Sequence, residues 1–235
     1  MQSIWEAFIL AVQLVLSADS DLLEIVGLSL FVTITATLIA SFLGIAFGAA
    51  LAVTRFPGRG LCIVIVNALM GLPPVVVGLV VYLYLSRSGP LGFLGLLYTP
   101  TAMIIAQSIL IAPIVIALSR QVFEDLEIEY RETFRSFGLT PYQSFLTLAW
   151  EGRFALITVA LAGYGRAIAE VGAVMIVGGN IDQLTRVMTT AIALETSRGN
   201  LPLALALGLI LVCLAFIVNA IVHGVRISRV RSGYV

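Results

Sequence analysis

Apolar residues run in five blocks, each long enough to cross a hydrocarbon core that takes about 20 helical residues to span. They are 28–53, 61–85, 101–123, 154–177 and 201–222, separated by short polar connections. The pattern predicts five transmembrane helices and an all-α integral membrane protein. The opening IWEAFILAVQLVLS is shorter, and Asp19, Asp21 and Glu24 follow it. Residues 1–24 therefore read as an interfacial helix with its linker, a marginal sixth span being the alternative. Glu6 stands where a cleaved leader has a basic start and SADSD is a poor cleavage site, so the segment is expected to stay attached.

One connection breaks the pattern. Between the third and fourth blocks lies YRETFRSFGLTPYQSF, 130–145. Phe123, Leu126, Tyr130, Phe134 and Phe137 recur at three- and four-residue spacing, the stripe of a helix. Glu124, Asp125, Glu127 and Glu129 precede Arg131 and Arg135, an order that suits a helix dipole, and Glu127 and Arg131 form an i,i+4 pair. Gly138 fits the left-handed position just past a helix end. Thr140 with Gln143 three residues later makes a capping box, with Pro141 at the first helical position. These signals predict a rigid helical hairpin over 124–151. Its local chemistry leaves two roles open, a docking element or a plain connection.

Polar and small residues inside the apolar blocks each need a reason. Ala40, Gly44, Gly48 and Ala52 recur every four residues and predict close helix packing. Pro73 and Pro74, flanked by Asn67, Gly71 and Gly78, remove two amide donors, so the second span is expected to bend or break there. Gln107 and Pro113 form a milder version in the third span. Arg166 and Glu170 lie one helical turn apart in the fourth, as either a structural ion pair or a functional one.

Charge sets the orientation. All 13 basic residues are arginine, balanced by 13 acidic ones. Nine of them (Arg55, Arg59, Arg120, Arg131, Arg135, Arg153, Arg226, Arg229, Arg231) fall on the side that carries 130–145, against Arg87, Arg186 and Arg198 on the other. The positive-inside rule puts the hairpin and the carboxyl terminus in the cytoplasm. The absence of lysine excludes a phosphate-gripping nucleotide loop and a Schiff base, so the chain is not expected to hydrolyse ATP by itself. His223 alone makes no metal site, Cys62 and Cys213 read as inert thiols, and scattered arginines give no nucleic-acid surface.

The stretch Glu132-Thr133-Phe134-Arg135-Ser136-Phe137-Gly138 resembles the EAA signature of bacterial ABC importer permeases, with the glutamate six residues before the glycine. Thr133 and Phe134 replace its two alanines, and Leu148-Ala149-Trp150-Glu151 replaces the usual Ile-x-Leu-Pro ending. LPPVVVGLVVYLYLSRSGPLG (72–92), GRAIAEVGAVMIVGGNI (165–181) and TRVMTTAIALETSRGN (185–200) are similar to the permeases for molybdate, tungstate and sulfate, most of all to the tungstate branch.

The resemblance implies a type I ABC importer permease fold, with five core transmembrane helices over 25–227, the amino-terminal interfacial helix and a cytoplasmic tail at 228–235. It also implies a homodimer in the prokaryotic inner membrane, two cytoplasmic ATPase subunits carrying ATP and magnesium, and an extracytoplasmic oxyanion-binding protein. No cofactor is implied for this chain itself. Glu132, Phe134, Arg135, Gly138, Leu139, Thr140 and Pro141 are then the coupling residues. Asn67, Pro73, Pro74, Arg166, Glu170, Asn180, Thr185, Thr189 and Thr190 are the candidates for the pathway or gate, with hydroxyls and the amides around Gly178, Gly179 and Asn180 offering donors to a dianion. A molybdate or sulfate permease stays open, as do a secondary transporter and a non-transporting scaffold.

Overall fold

The computed structural model describes residues 4–17 and 20–232. Asp19 and residues 233–235 of the expected tail lie outside the described residues, as do the side chains of Pro141, His223, Arg226, Arg229 and Arg231. Among the described residues the chain is helical, with no strand. In order come α1 (Ile4–Leu16), α2 (Ser20–Val53), α3 (Arg59–Met70), α4 (Pro74–Leu85), a 3-10 turn (Gly92–Leu94), α5 (Pro100–Ser136), α6 (Pro141–Glu151), α7 (Arg153–Ile168), α8 (Gly172–Gly178), α9 (Met188–Arg198) and α10 (Leu201–Ser232). Three helices are long and apolar enough to cross a membrane, or five if α3 with α4 and α6 with α7 each count as one bent span.

Several boundaries differ from the sequence reading. The second span breaks as the double proline requires. Gly71 N donates to Ala68 O and Leu72 N to Leu69 O at 3.1 and 3.2 Å, closing α3, and Pro73 caps α4. The fourth span is not one helix. α7 stops at Ile168 and α8 starts at Gly172, so Glu170 lies in the break rather than one turn along a helix from Arg166. α2 begins at Ser20, so Asp21 and Glu24 are helical rather than part of a linker. α1, at 13 residues, is about 20 Å long and falls short of a span.

The third span and the first arm of the hairpin are one helix. α5 has 37 residues, about 55 Å, with Pro113 inside it. Glu124, Asp125, Glu127 and Glu129 therefore sit deep in a helix and not in its first turn, and the dipole argument for them fails. Arginines hold two of them instead, as described below.

The chain folds as two compact units. One comprises Met1–Ala36, Pro73–Gln107 and Ala167–Ala220; the other comprises Thr37–Leu72, Ser108–Arg166 and Ile221–Val235. In the first unit α4 packs on α8, burying Val77 and Val81 against Ala173, Val174 and Val177. Gly78 permits the close approach, since a Cβ there would lie 2.7 Å from Ala173 Cα. In the second, the stripe on α2 packs against α5: a Cβ on Gly44 would lie 2.8 Å from Val115 Cγ1, and Ser119 Oγ donates to Gly44 O at 3.2 Å.

Replacing Gly78 by valine must push α4 and α8 apart and should destabilise the protein by about 1–3 kcal/mol, the usual cost of overpacking. Gly208→Ala meets open space and should be neutral. Thermal unfolding in detergent checks both, and equal melting points would refute the packing argument.

Candidate functional site

Two regions carry the candidate residues. The hairpin belongs to the second unit. Its inner face is the aromatic stripe of α5: Phe123 and Leu148 are fully buried with Ala49 and Leu156, and Leu126, Tyr130, Phe134 and Phe145 pack around them. Phe123 stacks on Phe145 at 5.9 Å and Tyr130 on Phe134 at 5.7 Å. Phe137 departs from the stripe. It lies just past the end of α5 and is 76% exposed.

The turn is closed at both ends. Gly138 has φ +62°, Leu139 N donates to Phe134 O at 3.1 Å and Gly138 N to Arg135 O at 3.2 Å, the paired bonds of a Schellman motif. Gln143 N donates to Thr140 Oγ1 at 3.3 Å while Thr140 N donates to Gln143 Oε1 at 2.9 Å, and Pro141 opens α6. α6 then turns 71° into α7 at Gly152. Glu132, Arg135 and Gly138 are exposed, and Phe134 and Leu139 are half-buried.

Charges brace the stem of the hairpin. Arg131 pairs with Glu127 at 2.7 Å, and this hydrogen-bonded guanidinium holds the Glu127 carboxyl below the usual carboxylate range. Glu124 takes Arg120 at 2.5 Å on one oxygen and Arg59, from the start of α3, on the other. Sequence reasoning used Arg59 only for orientation. No local pattern announces a partner 65 residues away.

The second region is a narrow polar cleft in the first unit, lined by Ser29, Thr33, Gln107, Glu170, Met188 and Thr189 among others. Glu170 is buried, 3% exposed, and its Oε1 accepts from Ala173 N at 3.0 Å, so the carboxylate caps α8. Thr189 Oγ1 donates to Glu170 O at 2.7 Å. Gln107 Nε2 donates to Ala167 O at 3.3 Å, while its buried Oε1 has no hydrogen-bond partner. Ser29, which the sequence reading passed over, accepts from Met188 N at 2.7 Å and so caps α9 from α2.

The loop 179–187 consumes the donors expected for a dianion. Thr185 donates to Gly178 O at 2.5 Å, Thr190 to Val187 O at 3.0 Å and the amide of Gly179 to Met175 O at 3.0 Å. Asn180 Nδ2 donates to Thr190 O at 3.4 Å. These groups hold a loop in which Gly179, Asn180 and Gln183 all have positive φ. Pro73 and Pro74 open α4 in this same unit. Asn67, exposed on α3, and Arg166, half-buried near the end of α7, belong to the second unit.

Residues 40–226 match the family described as binding-protein-dependent transport system inner membrane component. The chain is 41% identical over 226 residues, 96% of its length and 99% of the relative's, to the tungstate uptake system permease protein TupB of Peptoclostridium acidaminophilum. It is 46% identical over 162 residues, 69% of the chain and 68% of the relative, to TupB of Campylobacter jejuni. A probable anion ABC transporter permease protein of Haloferax volcanii is 41% identical over 205 residues, 85% of this chain and 88% of that one. Sulfate and molybdenum transport permeases are more distant.

Thr140→Ala removes the cap of α6 and should cost the hairpin about 1 kcal/mol. Amide exchange at the first turn of α6 should then quicken about fivefold, with α7 unaffected. Unchanged exchange would mean that the capping box holds nothing.

Proposed function

The chain belongs to the family of binding-protein-dependent transport system inner membrane components, and from that membership we propose that it is the permease subunit of an ATP-driven tungstate importer. The observation that carries the reading is the hairpin: a transmembrane helix continues unbroken into a doubly capped turn whose tip exposes Glu132, Arg135, Phe137 and Gly138. A stiff element of this kind takes up the motion of a partner. Its orientation follows from the arginine count, which puts the hairpin and the carboxyl terminus in the cytoplasm.

Two copies form the pathway between them. Two ATPase subunits, which carry the ATP and magnesium that this lysine-free chain has no loop to grip, dock on the hairpins through Glu132, Phe134, Arg135, Gly138, Leu139, Thr140 and Pro141. An oxyanion-binding protein delivers the ion outside. Nucleotide binding draws the hairpins together and hydrolysis releases them, a rigid-body alternation. The breaks at Pro73–Pro74 and at Glu170 supply the bending points of the gate. Tungstate is preferred over molybdate and sulfate because the tungstate permeases are the more similar relatives.

Co-expression with an ATPase and a binding protein tests the reading. An ATPase should co-purify stoichiometrically, and proteoliposomes should take up labelled tungstate only with ATP, molybdate and sulfate competing less well. Transport driven by an ion gradient without an ATPase would refute it. Gly138→Val should cut uptake about tenfold or more, because a β-branched residue is strained at positive φ. Gly138→Asn, which tolerates that conformation, should retain most of it, and both should insert normally into membranes.

A further inference from the structure

α3 is an unusual helix. It is apolar, yet none of its residues is buried: Leu61, Val64 and Ile65 are 65%, 62% and 48% exposed. Side-chain burial alone therefore does little to fix α3 in the second unit. Its first residue carries the tether. Arg59 Nε donates to Leu51 O at 2.6 Å, near the end of α2, and Arg59 Nη2 pairs with Glu124 on α5, whose other oxygen holds Arg120 at 2.5 Å.

One guanidinium thus joins three helices. It satisfies a carbonyl that the end of α2 leaves open, and its charge suits the negative end of that helix. The fork geometry lets it hold a carbonyl and a carboxylate at once, which a lysine ammonium cannot match in direction. The connection between α2 and α3 is itself short and folded: Thr54 N and Oγ1 both bond Ala50 O, at 3.0 and 2.5 Å, and Gly58 turns the chain at φ +92°. Arg59 and Glu124 are 30% and 27% exposed, so water screens the pair only in part.

We infer that Arg59 is a positioning residue, the pin through which displacement of the hairpin stem reaches α3 and so the double-proline break that follows it. Glu124 lies on the same rigid helix as the coupling turn, 14 residues before Gly138. A movement of that helix carries the carboxylate with it, and the carboxylate carries Arg59. Without the pin, α3 is held to its own chain only by its half-buried side chains, Cys62, Ile63 and Val66. The inference rests on the permease reading above.

Spin labels separate the two. In a background with Cys62 and Cys213 replaced, a single cysteine at Glu129 or at Val64, both exposed, reports the distance between two copies of the hairpin stem or of α3. With the ATPase bound, MgATP should change both distances in the otherwise native protein. In Arg59→Gln, and independently in Glu124→Gln, the hairpin distance should still respond while the α3 response is lost. The ATP consumed per tungstate imported should rise about fivefold or more, the lower end of ordinary coupling between sites. Native responses at Val64 in both variants would overturn the pin and leave the permease reading standing. Absence of any ATP response at Glu129 in the otherwise native protein would overturn both.

Discussion

A backbone amide inside lipid has no water to turn to, and the breaks within the apolar segments of this chain are governed by that fact. The apolar segments are interrupted at 71–73 and at 169–171, the loop 179–187 follows the fourth of them, and each is closed by groups of the chain itself. Prolines have no donor to lose. Leu72 bonds back to Leu69, Glu170 caps α8, Ser29 caps α9, and Thr185 bridges its own loop. The buried Thr37 and Ser41 hydroxyls on α2 have no hydrogen-bond partner, but at these interruptions the side chains serve the backbone: Thr185 donates to Gly178 O, Thr189 to Glu170 O and Thr190 to Val187 O. That is why the hydroxyls of Thr185, Thr189 and Thr190 offer no spare donor to an anion.

The second consequence concerns rigidity. A 37-residue helix that leaves the membrane without a break cannot fold back at the interface, so the hairpin stem inherits the stiffness of the span. The aromatic stripe and the two caps then fix the return arm. The Phe123–Phe145 stack at 5.9 Å and the burial of Leu148 beside it, rather than salt bridges on the surface, hold α6 against α5. Surface pairs such as Arg131–Glu127 add a few tenths of a kcal/mol at most.

What could be read from the sequence was what is decided within a few residues. Gly138, Thr140, Pro141 and Gln143 announce their turn because a Schellman motif and a capping box each involve neighbours, and every one of those bonds forms. The stripe from Ala40 to Ala52 was legible for a related reason: small residues at one face have few uses besides close packing. The break after Ile168 was not legible, because RAIAEVG contains no proline and its helix propensity is ordinary. It is settled by Glu170 finding the amide of Ala173. Helix α9 escaped notice as well, its start being fixed by Ser29, 159 residues away. The acidic run at 124–129 misled, since the dipole argument assumed a helix start that the continuous α5 does not contain.

The apolar surface outside the spans carries the remaining step. Exposed leucines and valines along α2, α4 and α10 need no explanation in a chain built for lipid. Phe137, Tyr142 and Ile128 are different: they are 76%, 68% and 67% exposed on a hairpin that leaves the membrane with α5. In the proposed orientation several turns of rigid helix hold the tip away from lipid, and water is a poor neighbour for phenylalanine. Trp150, at the base, is partly provided for by the Arg153 guanidinium 4.4 Å from its ring. Phe137 has no such cover among the described residues and sits beside Gly138, whose φ of +62° favours glycine. On the permease reading proposed above, a groove on the docked ATPase that accepts this ring and leaves Gly138 its left-handed turn resolves both demands together.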